Sequence, residues 1–116
     1  MKKIRILLID CDDIRRNHLF VLLNRYESCF VDQKSTISKD EFEQGNYEVV
    51  LVHFGNNPEG GCIENQDWDA GRAKVILFSG GFVQDKSDYD GMLYASASYI
   101  EDKENLYKML DEVIAQ

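Results

Sequence analysis

Between Glu48 and Phe54 the chain runs Val-Val-Leu-Val-His, four apolar and mostly β-branched residues in succession, with no polar alternation. Such a run reads as a strand buried on both faces, the pattern of a central parallel strand. Strands of that kind end at the carboxyl edge of the sheet, where ligands and reacting groups collect in open α/β folds. The residue standing at that edge is His53. Its imidazole can neither form an acyl phosphate nor serve as a hard-cation carboxylate ligand.

The rest of the chain alternates strand and helix patterns without a linker. Ile4 to Ile9 is apolar except for Arg5 and predicts the first strand. Asp12 or Asp13 can cap a following helix whose stripe is Ile14, Leu19, Val21, Leu22 and Leu23. Cys29 to Lys34 is a second, weaker strand. Ser38-Lys-Asp-Glu41 matches a capping box for a short helix ended by Gly45-Asn46. The buried run from Glu48 to Phe54 is the third strand, Lys74 to Phe78 a fourth and Leu93 to Ile100 a fifth. Glu104 to Ile114 is an amphipathic helix carrying Leu106, Met109, Leu110, Val113 and Ile114 on one face. Five such units predict a single domain over residues 1–116: a flavodoxin-like three-layer α/β sandwich with a parallel sheet ordered 2-1-3-4-5. The third and fourth crossovers are short and polar, so their helices are expected to be shortened.

Charge and cysteine content narrow the function classes. Lys and Arg number 13 against 21 Asp and Glu, a net charge of −8. That balance disfavours a nucleic-acid surface, which needs clustered cations. No apolar run approaches the roughly 20 residues of a membrane span. Met1-Lys2-Lys3 passes straight into a strand-like stretch with no small-residue cleavage site, so no signal peptide is expected. Cys11, Cys29 and Cys62 are odd in number and widely spaced, which suits a reducing cytoplasm. The loop from Gly55 to Gly61 lacks the Gly-Lys-Ser/Thr of a P-loop.

Ile6-Leu-Leu-Ile-Asp10-Cys-Asp-Asp13, His53, Ser79-Gly80 and Tyr99-Ile-Glu-Asp102-Lys103 together resemble the receiver domain of two-component response regulators, over essentially the whole chain. The family pattern has an acidic pair after strand one, an aspartate ending strand three and a Ser or Thr ending strand four. An aromatic residue in strand five and a lysine just beyond it complete the set. Asp10 falls on the first acidic position and Cys11 on the second, with Asp12 one step later. His53 falls on the acceptor, Ser79 on the hydroxyl, Tyr99 on the aromatic and Asp102 on the lysine. Three marks of five are altered. In the family a magnesium ion held by carboxylates neutralises the incoming phosphoryl oxygens. The resemblance therefore implies a degenerate pocket with no catalytic residue, no resident metal, weak or absent Mg2+ binding, and Asp102 opposing phosphate.

The expected function is a cytoplasmic, non-enzymatic pseudo-receiver that docks a histidine kinase, an output domain or another receiver without phosphorylation. The family's fourth helix, fifth strand and fifth helix form its dimer face. Here that face spans Asp85 to Asp111 and offers Tyr89, Tyr94 and Tyr107 as anchors of a homodimer. Ser79 and Tyr99 would be its switch-like pair. A second reading keeps phosphorylation on an aspartate of the Asp10–Asp13 cluster. A third places a small molecule or flavin at the switch-point crevice, against which the acidic first loop argues. His53 is expected to be a polar residue bonded to a neighbouring backbone group, or a pH-sensitive element whose proton affinity Asp10 and Asp12 raise. A phosphohistidine lacks the exposed helix such transfers use. A soft-metal site of Cys11, His53, Asp10 and Asp102 has no local ligand spacing to support it. His18 is expected to face solvent.

Overall fold

Ile6, Leu7, Leu8 and Ile9 are consecutive and all fully buried, a pattern available only to a strand covered on both faces. They belong to β1 (Ile4–Ile9), an interior strand of the sheet in a computed structural model that describes residues 4–26, 29–35, 44–53, 73–79 and 93–115. Residues 79, 93 and 94 are described by their backbone alone. β1 pairs in parallel with β2 (Cys29–Lys34) on one side and β3 (Val49–His53) on the other. β4 (Lys74–Ser79) pairs with β3, and β5 (Leu93–Ser96) pairs with β4. The order is therefore β2-β1-β3-β4-β5, as the sequence predicts. Ile9 stands opposite Val52, His53 opposite Phe78, and Ser79 opposite Ser96. The carboxyl ends of the strands thus share one rim.

Asp12 starts helix α1 (Asp13–Asn24), its side chain accepting the Arg15 backbone N–H at 2.9 Å. Leu19, Leu22 and Leu23 pack this helix on the sheet. Ile14 and Val21, expected on the same stripe, are exposed by 86% and 48%. They lie seven residues apart, on the side of the helix turned about half a turn from Leu19 and Leu23. Arg15 and Arg16, by contrast, continue the leucine stripe toward the helix N-terminus.

The fifth strand is shorter than expected. It stops at Ser96, whose hydroxyl accepts the Tyr99 N–H at 3.2 Å and caps a four-residue helix, α2 (Ala97–Ile100). Ala97 and Ile100, three apart, then fall on the buried side. Asp102 caps the final helix α3 (Lys103–Ala115) by accepting the N–H groups of Glu104 and Asn105 at 3.0 and 3.2 Å. Leu106, Met109, Leu110 and Val113 bury its apolar face against the strand residues Ile6, Leu8, Leu51 and Ile76. Lys74 Nζ reaches the Val113 carbonyl at 2.9 Å, placing a cation at the negative end of that helix. The opposite sheet face, with Leu7, Ile9, Val50 and Val52, is equally buried. The expected shortened helices and the Ser38 capping box lie outside the described residues.

Leu51→Ala is expected to cost about 2–5 kcal/mol in urea denaturation, because Leu51 is fully enclosed. Val21→Ala, on the solvent side of α1, is expected to stay within about 0.5 kcal/mol. Equal losses would refute this assignment of helix faces.

Candidate functional site

Asp10 follows the last residue of β1 and is fully buried. Its backbone N–H extends the parallel ladder to the Lys34 carbonyl at 3.1 Å, which aims the side chain along the rim. A buried carboxylate needs a counter-charge and hydrogen-bond donors. Arg15 supplies both: Nε donates to Oδ2 at 2.5 Å and Nη2 donates to Oδ1 at 2.8 Å. Asp12 N adds a third donor to Oδ1 at 2.9 Å. Such fork-on-fork pairing is the strongest arrangement open to the two groups. Arg15 is itself held further into its charged form, first by the Asp10 hydrogen bonds. Arg16 completes the anchorage: Nη1 donates to the Asp10 carbonyl at 2.8 Å, Nε to Gln33 at 3.2 Å, and Nη2 pairs with Asp13 at 2.8 Å.

His53 ends β3 half-buried beside Phe78, ring centroids 5.6 Å apart. The Arg15 guanidinium lies 5.8 Å from the centroid of the same Phe78 ring. Burial first, and then the Arg15 charge, push the His53 imidazole below its ordinary value; Asp10 and Asp12 act the other way and are outweighed. The sequence expectation of a raised proton affinity is thereby reversed. It counted the carboxylates and missed the arginine that neutralises the nearer one. Asp12 is exposed and spent on capping, and the Arg15 N–H holds its carboxyl below the usual range.

The structure brings Asp10, Cys11 and His53 together: one donor atom from each lies within 4.8 Å of the others. Among the described residues this is the one group of three His, Cys, Asp or Glu side chains so placed. Asp102 does not join it. The resemblance set Asp102 at the counter-cation position beyond strand five, but its carboxylate is exposed and committed to the start of α3. The residue actually ending β5 is Ser96. Tyr99 is likewise not in a strand; it sits on α2, 39% exposed. Ser79 does end β4, with its side chain outside the described residues.

Tyr107 is corrected too. It is half-buried, donates its hydroxyl to the Leu22 carbonyl at 2.7 Å and packs on Tyr26 with centroids 5.2 Å apart, joining α1 to α3. Tyr89 and the side chain of Tyr94 lie outside the described residues. His18 is exposed as expected and contacts the Glu101 carbonyl through Nε2 at 3.0 Å.

Sequence reasoning missed Arg15 and Arg16. Their signal was two arginines on the leucine-bearing side of an amphipathic helix, directly after an acidic cluster. The rim does not fit the hard-cation ligand set of carboxylates that holds magnesium in the receiver pattern. The buried carboxylate Asp10 is gripped by a guanidinium, Asp12 caps a helix, and Cys11 and His53 offer softer donors.

Removing the guanidinium leaves an uncompensated buried charge, so Arg15→Met is expected to cost about 3 kcal/mol in chemical denaturation. Combined with Asp10→Asn, the loss should fall short of the sum of the single changes by at least about 1 kcal/mol. Strict additivity would refute the pairing. A depressed imidazole means the unfolded chain binds the His53 proton more readily than the folded one. Stability is therefore expected to be full above about pH 6.5, the ordinary imidazole value, and to decline as pH falls from there toward the folded-state value. Thermal melts between pH 5 and pH 8 should show His53→Asn flattening that decline, an unchanged slope counting against it.

No protein-family model matches the chain, and no curated protein matches it. Solved structures do. The chemotaxis protein CheY4 of Vibrio cholerae aligns with a TM-score of 0.75 at 11% identity, over 97% of this chain and 99% of that one. A CheY-like response regulator receiver domain protein from Methanospirillum hungatei gives 0.74 at 17% identity, over 96% and 93%. A LuxR-family two-component response regulator from Aurantimonas sp. gives 0.70 at 18% identity, over 98% and 86%. With strand order, helix placement and coverage in agreement, the chain has the fold of the CheY-like response-regulator receiver domains.

Proposed function

We propose that this chain is a receiver-type domain of two-component signal transduction that docks a protein partner without being phosphorylated. The observation that carries the reading is the Arg15 fork on Asp10. A protein-borne cation is forked on the buried carboxylate at the rim, so the oxygen-rich ligand set that Mg2+ requires for phosphoryl transfer is not assembled there. His53, at the end of the central strand, provides no carboxylate to accept a phosphoryl group. What persists is the scaffold and its surfaces, which supports a non-enzymatic docking role. No described helix is long and apolar enough to cross a membrane, and the net charge of −8 argues against nucleic acid. We place the protein in the cytoplasm on its cysteine pattern.

The partner of this reading is a histidine kinase, an output domain, another receiver or a second copy. Tyr107 is engaged inside the molecule, which leaves Tyr89 and Tyr94 as interface candidates on the sequence alone. Tyr99 on α2 adds an exposed ring nearby in sequence.

Incubation with a small-molecule phosphodonor and Mg2+, read by intact mass, is expected to leave the chain unmodified. Gain of one phosphoryl group on an aspartate between Asp10 and Asp13 would instead establish the divergent, still-phosphorylated alternative. Light scattering and pull-down complete the test, since a strict monomer without any partner would contradict docking.

A further inference from the structure

Asp10, Cys11 and His53 reach one point from the ends of two neighbouring strands, β1 and β3, whose register is fixed by pairing from Ile6↔Val49 to Ile9↔Val52. The sheet thus supplies the proximity that the linear spacing of these residues lacks. One carboxylate oxygen, one sulfur and one ring nitrogen lie within 4.8 Å of one another. Ligands about 2.0–2.3 Å from a tetrahedral zinc ion stand roughly 3.5 Å apart, so closure asks for side-chain rotation of about one ångström.

We propose that Asp10, Cys11 and His53 bind a zinc-type dication, leaving a fourth position open to water or to a ligand from a partner. The donor set decides the class of ion. Thiolate and imidazole favour zinc or cobalt, whereas Mg2+ requires oxygen donors in near-octahedral array. With Arg15 kept on Asp10, the Cys11 thiolate neutralises one of the ion's two charges, and an anionic ligand in the fourth position would neutralise the other. Asp10 has capacity for this without giving up Arg15. Its Oδ1 accepts two hydrogen bonds and Oδ2 accepts one, so Oδ2 keeps a lone pair. Arg15 then acts as the outer partner that orients the ligating carboxylate, a common feature of metal centres. Cys11 is solvent-exposed, which gives the ion a route in. This site does not depend on the docking reading, because metal affinity is measured on the isolated protein with no partner present.

The test begins with chelator-treated protein titrated with Co2+. One equivalent is expected to produce visible ligand-field bands and a near-ultraviolet sulfur-to-cobalt charge-transfer band, both abolished by Zn2+. Cys11→Ser and His53→Asn should each weaken Zn2+ binding about tenfold or more, while Cys29→Ser, Cys62→Ser and His18→Gln bind as the parent does. A readout on the unsubstituted chain guards against misfolded variants: Zn2+ should slow alkylation of Cys11 about tenfold, Mg2+ leaving it unchanged. Absence of the charge-transfer band, full affinity in both Cys11→Ser and His53→Asn, or unprotected Cys11 under saturating Zn2+ would each overturn the proposal.

Discussion

A carboxylate buried at the end of a central strand has to be matched by a cation, and in this protein the match is Arg15 on Asp10. Much of the rim's geometry follows from that requirement. The first helix must present its N-terminal turn to the sheet edge, which Asp12 arranges by capping α1. Arg16 reinforces the same placement by reaching the Asp10 carbonyl and Gln33. The guanidinium then sets the electrostatics for its neighbours. His53 loses proton affinity through burial and through that charge, despite the carboxylates nearby.

The rim therefore differs in kind from an open acidic pocket. Its charge is internally balanced, its strand-end residues are an imidazole and a thiol, and its remaining carboxylates are engaged in helix capping or ion pairing. At the strand ends of this rim stand a thiol and an imidazole, donors softer than carboxylate oxygens. Such donors suit a borderline ion better than magnesium, which prefers oxygen ligands.

Legibility in the sequence tracked how local the governing interaction was. The strands β1, β3 and β4 showed as continuous apolar runs because burial on both faces leaves no room for polar alternation. The final helix showed as a stripe because Leu106, Met109, Leu110 and Val113 obey its period. The end of β5 did not show: Ala97-Ser-Tyr-Ile100 suits either state, and the capping hydroxyl of Ser96 tipped it into a helix. That one-turn difference moved Tyr99 off the strand and Asp102 to a helix cap. Tyr107 looked like a surface anchor because nothing in its neighbourhood along the chain announces Leu22 or Tyr26 as partners.

The order of elements, the parallel sheet, the acidic first loop and the imidazole at the third strand's end were set by residue type and spacing alone. Each of these depends on burial period or on which side chain occupies a strand terminus. The pairing of Arg15 with Asp10, the lowered proton affinity of His53 and the meeting of Cys11 with His53 were decided only by tertiary structure. They depend on which elements the sheet brings side by side and on the charges that then face one another, and distance along the chain carries no record of either.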